Sequence, residues 1–222
     1  MTDHRSRFLQ LALRADALRF GDFTLKSGRL SPYFFNAGRF DSGAALAELA
    51  GCYADAIDAD GVDFDLLFGP AYKGIPLATA LACEYARRGR DLPVAFNRKE
   101  AKAHGEGGSL IGAPLQDRRV LIVDDVITAG TAIREALMII AEAGGTVAGI
   151  VIALDRQEVA GDPMTASRRS AAETVAHEHG VPVIAVASLG DLLAFAGSDP
   201  GLMNQRERLL AYRDAYGSTV QG

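Results

Sequence analysis

The chain has 222 residues, 49% of them hydrophobic, and a formal net charge of −5. That length and apolar content suit a packed domain with a substantial core and exclude a disordered chain. The acidic balance excludes a general nucleic-acid surface and no apolar run approaches the ~20 residues of a membrane span; the charged N-terminus lacks a signal-peptide core, so a cytoplasmic protein is expected.

Residues 5–20 are expected to form a helix, because Phe8, Leu11, Ala12 and Ala15 recur at helical spacing and Gly21 stops the pattern. Residues 23–38 are less regular and are punctuated by Gly28 and Pro32. Composition alone favours a hairpin there, with a solvated Lys26 and core phenylalanines at Phe34 and Phe35. A second helix is expected over residues 42–57, with Leu46, Leu49, Ala50, Tyr53 and Ile57 on one face. Cys52 and Cys83 lie in alanine-rich helical stretches and read as small core residues rather than a disulfide.

Residues 65–68 are expected to be a strand that leads into Gly69-Pro-Ala-Tyr-Lys-Gly-Ile-Pro76 and then a helix over about 75–88. Such a turn is either an ordinary strand-to-helix connection or an anion site, and Lys73 between small residues suits the second. Residues 93–96 form a short strand. Beyond it, Arg98, Lys99, Lys102 and His104 cluster within seven positions, and Gly105, Gly107 and Gly108 follow. An arbitrary charge run of this kind is a solvated hairpin, whereas a glycine-rich basic loop also gains order from an anion.

Val120 to Val123 are an unbroken apolar run, the pattern of a strand buried on both faces in a parallel sheet. Asp124 and Asp125 stand at its carboxyl end, where open α/β sheets place their ligand crevice. The turn Thr128-Ala129-Gly130-Thr131 opens a helix over 132–143 and offers backbone N–H groups and hydroxyls to a phosphate. Two carboxylates cannot hold that phosphate themselves; they accept hydrogen bonds from sugar hydroxyls or sit beside Mg²⁺. The combination points to a ribose phosphate.

A strand over 147–154 ends in Asp155-Arg156, and the arginine suits either a planar anion or a surface ion pair. A helix over 170–179, a strand over 183–187 and an amphipathic tail helix over 203–216 follow. His177 and His179 do not share a helix face and read as surface residues. The alternation of strands and helices predicts a parallel sheet with helices on both faces. The sequence holds no P-loop, no complete dinucleotide fingerprint, no nucleophile elbow and no Cys/His metal spacing.

The thirteen residues VLIVDDVITAGTA, Val120 to Ala132, resemble throughout the PRPP-binding signature of the type I phosphoribosyltransferases. A likeness to the orotate-using branch of that family runs from Phe8 to Tyr216. The resemblance implies an α/β fold with a central, mostly parallel sheet flanked by helices. It implies a single domain over residues 1–222, whose small hood is formed mainly by about 1–40 with part of the C-terminal region.

The implied reaction is transfer of ribose 5-phosphate from PRPP to orotate, a step of pyrimidine nucleotide synthesis. By this resemblance Asp124 and Asp125 bind ribose hydroxyls, and Val126, Ile127, Thr128, Ala129, Gly130, Thr131 and Ala132 surround the 5′-phosphate. Tyr72, Lys73, Arg98, Lys99, Lys102 and His104 meet the pyrophosphate side. Lys26, Phe34, Phe35, Thr128 and Arg156 line the orotate pocket. Lys102, Asp125 and His104 are the expected catalytic residues. Mg²⁺ is the implied cofactor, held mainly by PRPP rather than by protein side chains. The implied partner is a second copy, with the basic loop 97–110 acting on the neighbouring subunit; neither nucleic acid nor membrane is implied. A member using a purine is disfavoured by Lys26, Phe34, Phe35 and Arg156, which together suit an anionic pyrimidine. A PRPP-sensing regulator is disfavoured by the intact basic loop.

Overall fold

A computed structural model describes residues 3–25, 27–102, 108–128, 130–159 and 168–218. The elements in chain order are α1 (His4–Arg14), β1 (Leu18–Thr24), β2 (Leu30–Phe35), α2 (Gly43–Asp60), β3 (Leu66–Gly69), α3 (Gly74–Arg87), β4 (Val94–Lys102) and β5 (Gly108–Gly112). There follow β6 (Arg119–Asp124), α4 (Thr131–Glu142), β7 (Thr146–Asp155), α5 (Ala171–His179), β8 (Val183–Ser188), α6 (Leu189–Ser198) and α7 (Met203–Tyr216).

The apolar runs make a six-stranded sheet of order β5-β4-β3-β6-β7-β8, and β1 and β2 pair apart from it as an antiparallel hairpin. Every neighbour pair in the large sheet is parallel except β4 with β5. Strand alternation explains why the central runs carry no polar residue. Val120 and Ile122 join Leu66, Phe68, Ile150 and Ile152 under α4 and α5, whereas Leu121 and Val123 join Leu67, Val151 and Ala153 under α1, α2 and α3. None of these eleven side chains is more than 1% exposed, so a polar substitution at any of them has no solvated side to turn towards. Each fully buried aliphatic contributes roughly 1.5–3 kcal/mol.

The sheet order also fixes where a ligand can bind. From β3 the chain crosses by α3 to β4 on one side, and from β6 it crosses by α4 to β7 on the other. The direction of winding therefore reverses between β3 and β6, and the crevice lies outside their carboxyl ends.

Three expectations are corrected. The first helix ends at Arg14 rather than near residue 20, and Asp16 takes a positive φ of 54°. Leu18–Thr24 instead pairs with β2, so ladder formation overrides the helical preference of Ala15 and Ala17. Strand β4 runs on to Lys102 and returns as β5, so the basic segment is largely a strand pair rather than a loop. Residues 189–198, for which the sequence reading had no expectation, form α6 behind a Ser188–Asp191 capping box. Of the cysteines, Cys52 is buried as expected but Cys83 is exposed, because it falls on the solvent side of α3.

Candidate active site

The acidic pair ends β6 in a fixed backbone. Tyr53, wholly buried on α2, donates its hydroxyl to the Asp124 carbonyl at 2.9 Å. The Asp125 carbonyl accepts from the Ala153 N–H of β7 at 2.9 Å, and the Asp125 N–H donates to Asp124 Oδ1 at 2.9 Å. Both carboxylates are buried, at 8% and 6% exposure. Burial, followed by the charge of Asp125, pushes the Asp124 carboxyl up to about 7.

That shift has a sign. An unfolded aspartate titrates near 4, so between about pH 4 and 7 the folded chain keeps a proton that the unfolded chain has released. The resulting stabilisation is complete below about pH 4 and is lost as pH rises through about 7. Thermal melts of ligand-free protein from pH 5 to 8 are expected to fall more steeply for the parent chain than for Asp124→Asn. Parallel slopes would show that Asp124 does not titrate in that window.

Gly69 and Gly74 bracket the turn after β3. A methyl group on Gly69 would strike the Gly74 carbonyl, and one on Gly74 would lie 2.6 Å from both the Val123 carbonyl oxygen and Pro70 Cδ. The turn thus presses against β6 at backbone distance. The Ala71–Tyr72 peptide is cis. Lys73 Nζ reaches Asp125 Oδ2 at 2.6 Å, joining this turn to the acidic pair. Lys73 is half exposed, so the pair contributes little stability and mainly sets position.

The basic strand is tied to the same place. Asn97 Oδ1 accepts from the Ala71 N–H at 2.9 Å, and Lys99 Nζ lies 4.8 Å from the centre of the Tyr72 ring. Tyr72 itself is 68% exposed. Arg98 Nη1 is buried with no hydrogen-bond partner among the described residues. Leaving such a donor unpaired costs about 1–3 kcal/mol, which a bound anion would offset. Lys102 is the last residue of β4, and its side chain lies outside the described groups. His104 and Ala129 lie outside the described residues, as does Lys26.

Beyond Asp125, Ile127 is buried, Val126 is half-buried, and Thr128, Thr131 and Ala132 are exposed. Gly130 takes φ of +70° as the residue before α4, whose first-turn N–H groups have no partner within the helix. A twelve-residue helix opening on exposed hydroxyls can receive an anion there.

Arg156 stands apart from this cluster, under the β1–β2 hairpin. Its Nε donates to Glu158 Oε1 at 2.8 Å, its Nη2 lies 3.3 Å from Ser31 Oγ, and its guanidinium covers the Tyr33 ring at 4.5 Å. Phe34 and Phe35 point to opposite faces of β2, as neighbours on a strand must. Phe35 packs against Phe8 and Phe40, whereas Phe34 packs against Phe23, with the Arg19 guanidinium over both of these outer rings. Phe35 thus commits its ring to the core, and Phe34 keeps its ring on the outer face.

The structure brings Lys73, Tyr72, Lys99 and the acidic pair together at the winding reversal. Four polar groups around the site were not legible in the sequence: the Tyr53 hydroxyl, Asn97, Ser31 and Glu158. Glu158 left no usable trace either: it stands two positions from Arg156, but Gln157 between them takes a φ of 49°, so strand alternation does not relate the two side chains.

Residues 40–180 match the family described as the phosphoribosyl transferase domain. The orotate phosphoribosyltransferase of Xanthomonas campestris pv. campestris strain B100 is 77% identical over 222 residues, 100% of each chain. That of Stenotrophomonas maltophilia strain K279a is 73% identical over 217 residues, 98% of each. Among solved structures, the orotate phosphoribosyltransferase of Francisella tularensis has a TM-score of 0.85 at 41% identity, covering 95% of this chain and 99% of its own.

Proposed function

The chain belongs to the phosphoribosyl transferase domain family, within its orotate phosphoribosyltransferases, and from that premise we propose how its residues divide the work. The reaction joins a ring nitrogen of orotate to C1′ of PRPP as the bond from C1′ to the pyrophosphate oxygen breaks. The products are orotidine 5′-monophosphate and pyrophosphate, in the route to pyrimidine nucleotides. No protein nucleophile is required. The protein must hold two substrates in line and stabilise negative charge that grows on the leaving pyrophosphate.

Asp124 and Asp125 accept hydrogen bonds from the ribose hydroxyls, and the 126–132 turn with the start of α4 takes the 5′-phosphate. Tyr72, Lys73, Arg98, Lys99 and Lys102 surround the pyrophosphate, with His104 in the same segment. Lys26, Arg156, Thr128 and the Phe34–Phe35 segment take the orotate. The observation that best supports this division is the 2.6 Å Lys73–Asp125 contact, which sets an anion-binding turn against a sugar-binding pair.

Among the described residues no group of three or more His, Cys, Asp or Glu side chains could hold a metal ion. Two adjacent carboxylates, one already engaged by Lys73, fit an ion that brings most of its oxygen ligands with the substrate. Mg²⁺ bound to PRPP beside Asp124 and Asp125 would offset charge on the pyrophosphate. A single domain working in the cytoplasm is the setting of this reading; among the described residues no helix is long and apolar enough to cross a membrane.

The direct test is the fall in orotate absorbance on adding PRPP and Mg²⁺, with uracil and hypoxanthine as alternative bases. Consumption of hypoxanthine but not orotate would overturn the assignment of the base. The reading includes a homodimer in which the segment 97–110 serves the neighbouring subunit. Mixing Lys102→Ala with Asp125→Asn protein and allowing exchange is expected to restore activity, because each mixed dimer regains one intact site. No recovery after demonstrated exchange would refute action across the interface.

A further inference from the structure

We propose that Glu158 is a positioning residue for the orotate site, holding the Arg156 guanidinium in the plane from which it meets the base. This rests on the reading above that Arg156 contacts orotate.

An arginine discriminates planar anions only when its fork is held in one orientation, because a free side chain samples many rotamers. Here one carboxylate oxygen does the holding. Glu158 Oε1 lies 2.8 Å from Arg156 Nε and 2.6 Å from Nη2, so the inner edge of the fork is occupied. Ser31 Oγ at 3.3 Å from Nη2 and the Tyr33 ring beneath it fix the remaining tilt. Both charged side chains are withdrawn from solvent, at 16% and 13% exposure. Removing the carboxylate would leave a largely buried cation without its counter-charge, which is costly enough to make the arginine move.

Glu158 is itself held from two sides. Its backbone forms an antiparallel bridge with Gly217, the Val159 N–H donates to the Tyr216 carbonyl at 2.9 Å, and the Ser218 N–H donates to the Gln157 carbonyl at 2.7 Å. From the hairpin, Arg29 Nη1 donates to the Val159 carbonyl at 2.9 Å, and the Tyr33 hydroxyl lies 3.5 Å from Glu158 Oε1. The end of α7 and the hairpin thus converge on the residue that grips Arg156.

Steady-state kinetics with each substrate varied in turn separate positioning from stability. Glu158→Asp keeps the charge but retracts the carboxylate by one methylene. That variant and Glu158→Ala are expected to raise KM for orotate by about tenfold while KM for PRPP stays within about twofold. Glu158→Gln keeps an accepting oxygen but removes the counter-charge, and is expected to raise KM for orotate by less than Glu158→Ala does. In an Arg156→Ala background, Glu158→Ala is expected to add nothing further. Equal changes in both KM values, a fall in Tm alone, or full additivity with Arg156→Ala would each overturn the proposal. Should the alanine variant fail to fold, the Asp and Gln variants carry the comparison. A parent chain that consumes no orotate would overturn the functional reading and this inference with it. A parent that does so beside a Glu158→Asp variant of unchanged orotate KM overturns the inference alone.

Discussion

Replacing Lys102 by alanine is expected to lower kcat by about 10²–10³, the scale for losing one preorganised electrostatic contact to developing charge. Lys102 ends β4, the strand that carries Arg98 and Lys99. Asn97 pins the start of this run to the turn that bears Lys73. On the proposed reading a cation there would meet the pyrophosphate as it gains charge, contributing more in the transition state than in the bound ground state. The loss should therefore fall on kcat and on kcat/KM alike, with KM for PRPP little changed. Steady-state kinetics alongside single turnover would check this, since product release could otherwise mask a slower chemical step. A reduction below tenfold would remove Lys102 from the catalytic role.

Gly74→Ala is the second substitution with a large expected effect. A Cβ at this position would lie 2.6 Å from the Val123 carbonyl and from Pro70 Cδ, and neither is the tip of a flexible side chain. The turn must back away from β6, and Lys73 moves with it. A displacement near 1 Å in a site that works by alignment can cost about 10²-fold, so kcat/KM for PRPP is expected to fall by about that factor. Overpacking adds about 1–3 kcal/mol of destabilisation, readable as a lower Tm. A folded variant whose kcat/KM for PRPP is within about threefold of the parent would show that this approach of turn and strand does not serve alignment.

Much of the scaffold was legible because it depends on local pattern. Val120–Val123 announced a strand buried on both faces, with Asp124 and Asp125 at its carboxyl end. The helix faces through Leu49, Tyr53 and Ile57, and through Ile133, Ala136 and Ile140, are the ones buried. What failed depends on partners distant in sequence. Nothing near Ala17 says that Leu18 will pair with Phe35, and nothing near Lys99 says that the strand continues because residues 108–112 return beside it. The Tyr53 hydroxyl bonds a carbonyl 71 positions away, and Asn97 bonds an N–H 26 positions away. Tyr53 reads in the sequence only as a large core residue, and Asn97 only as a polar end to a strand.

Because the turn bearing Lys73 leaves β3 and the acidic pair leaves β6, and these strands are hydrogen-bonded neighbours, the span between the two cradles is a backbone dimension. Paired strands lie about 4.8 Å apart whatever their side chains. On the proposed reading the sheet would act as a gauge block for the sugar diphosphate, one that surface substitutions would not recalibrate. The hairpin proposed to help frame the base contributes no strand to that sheet. On that reading, preference for the base can drift by changes at Ser31, Tyr33 or Phe34 while the gauge stays constant.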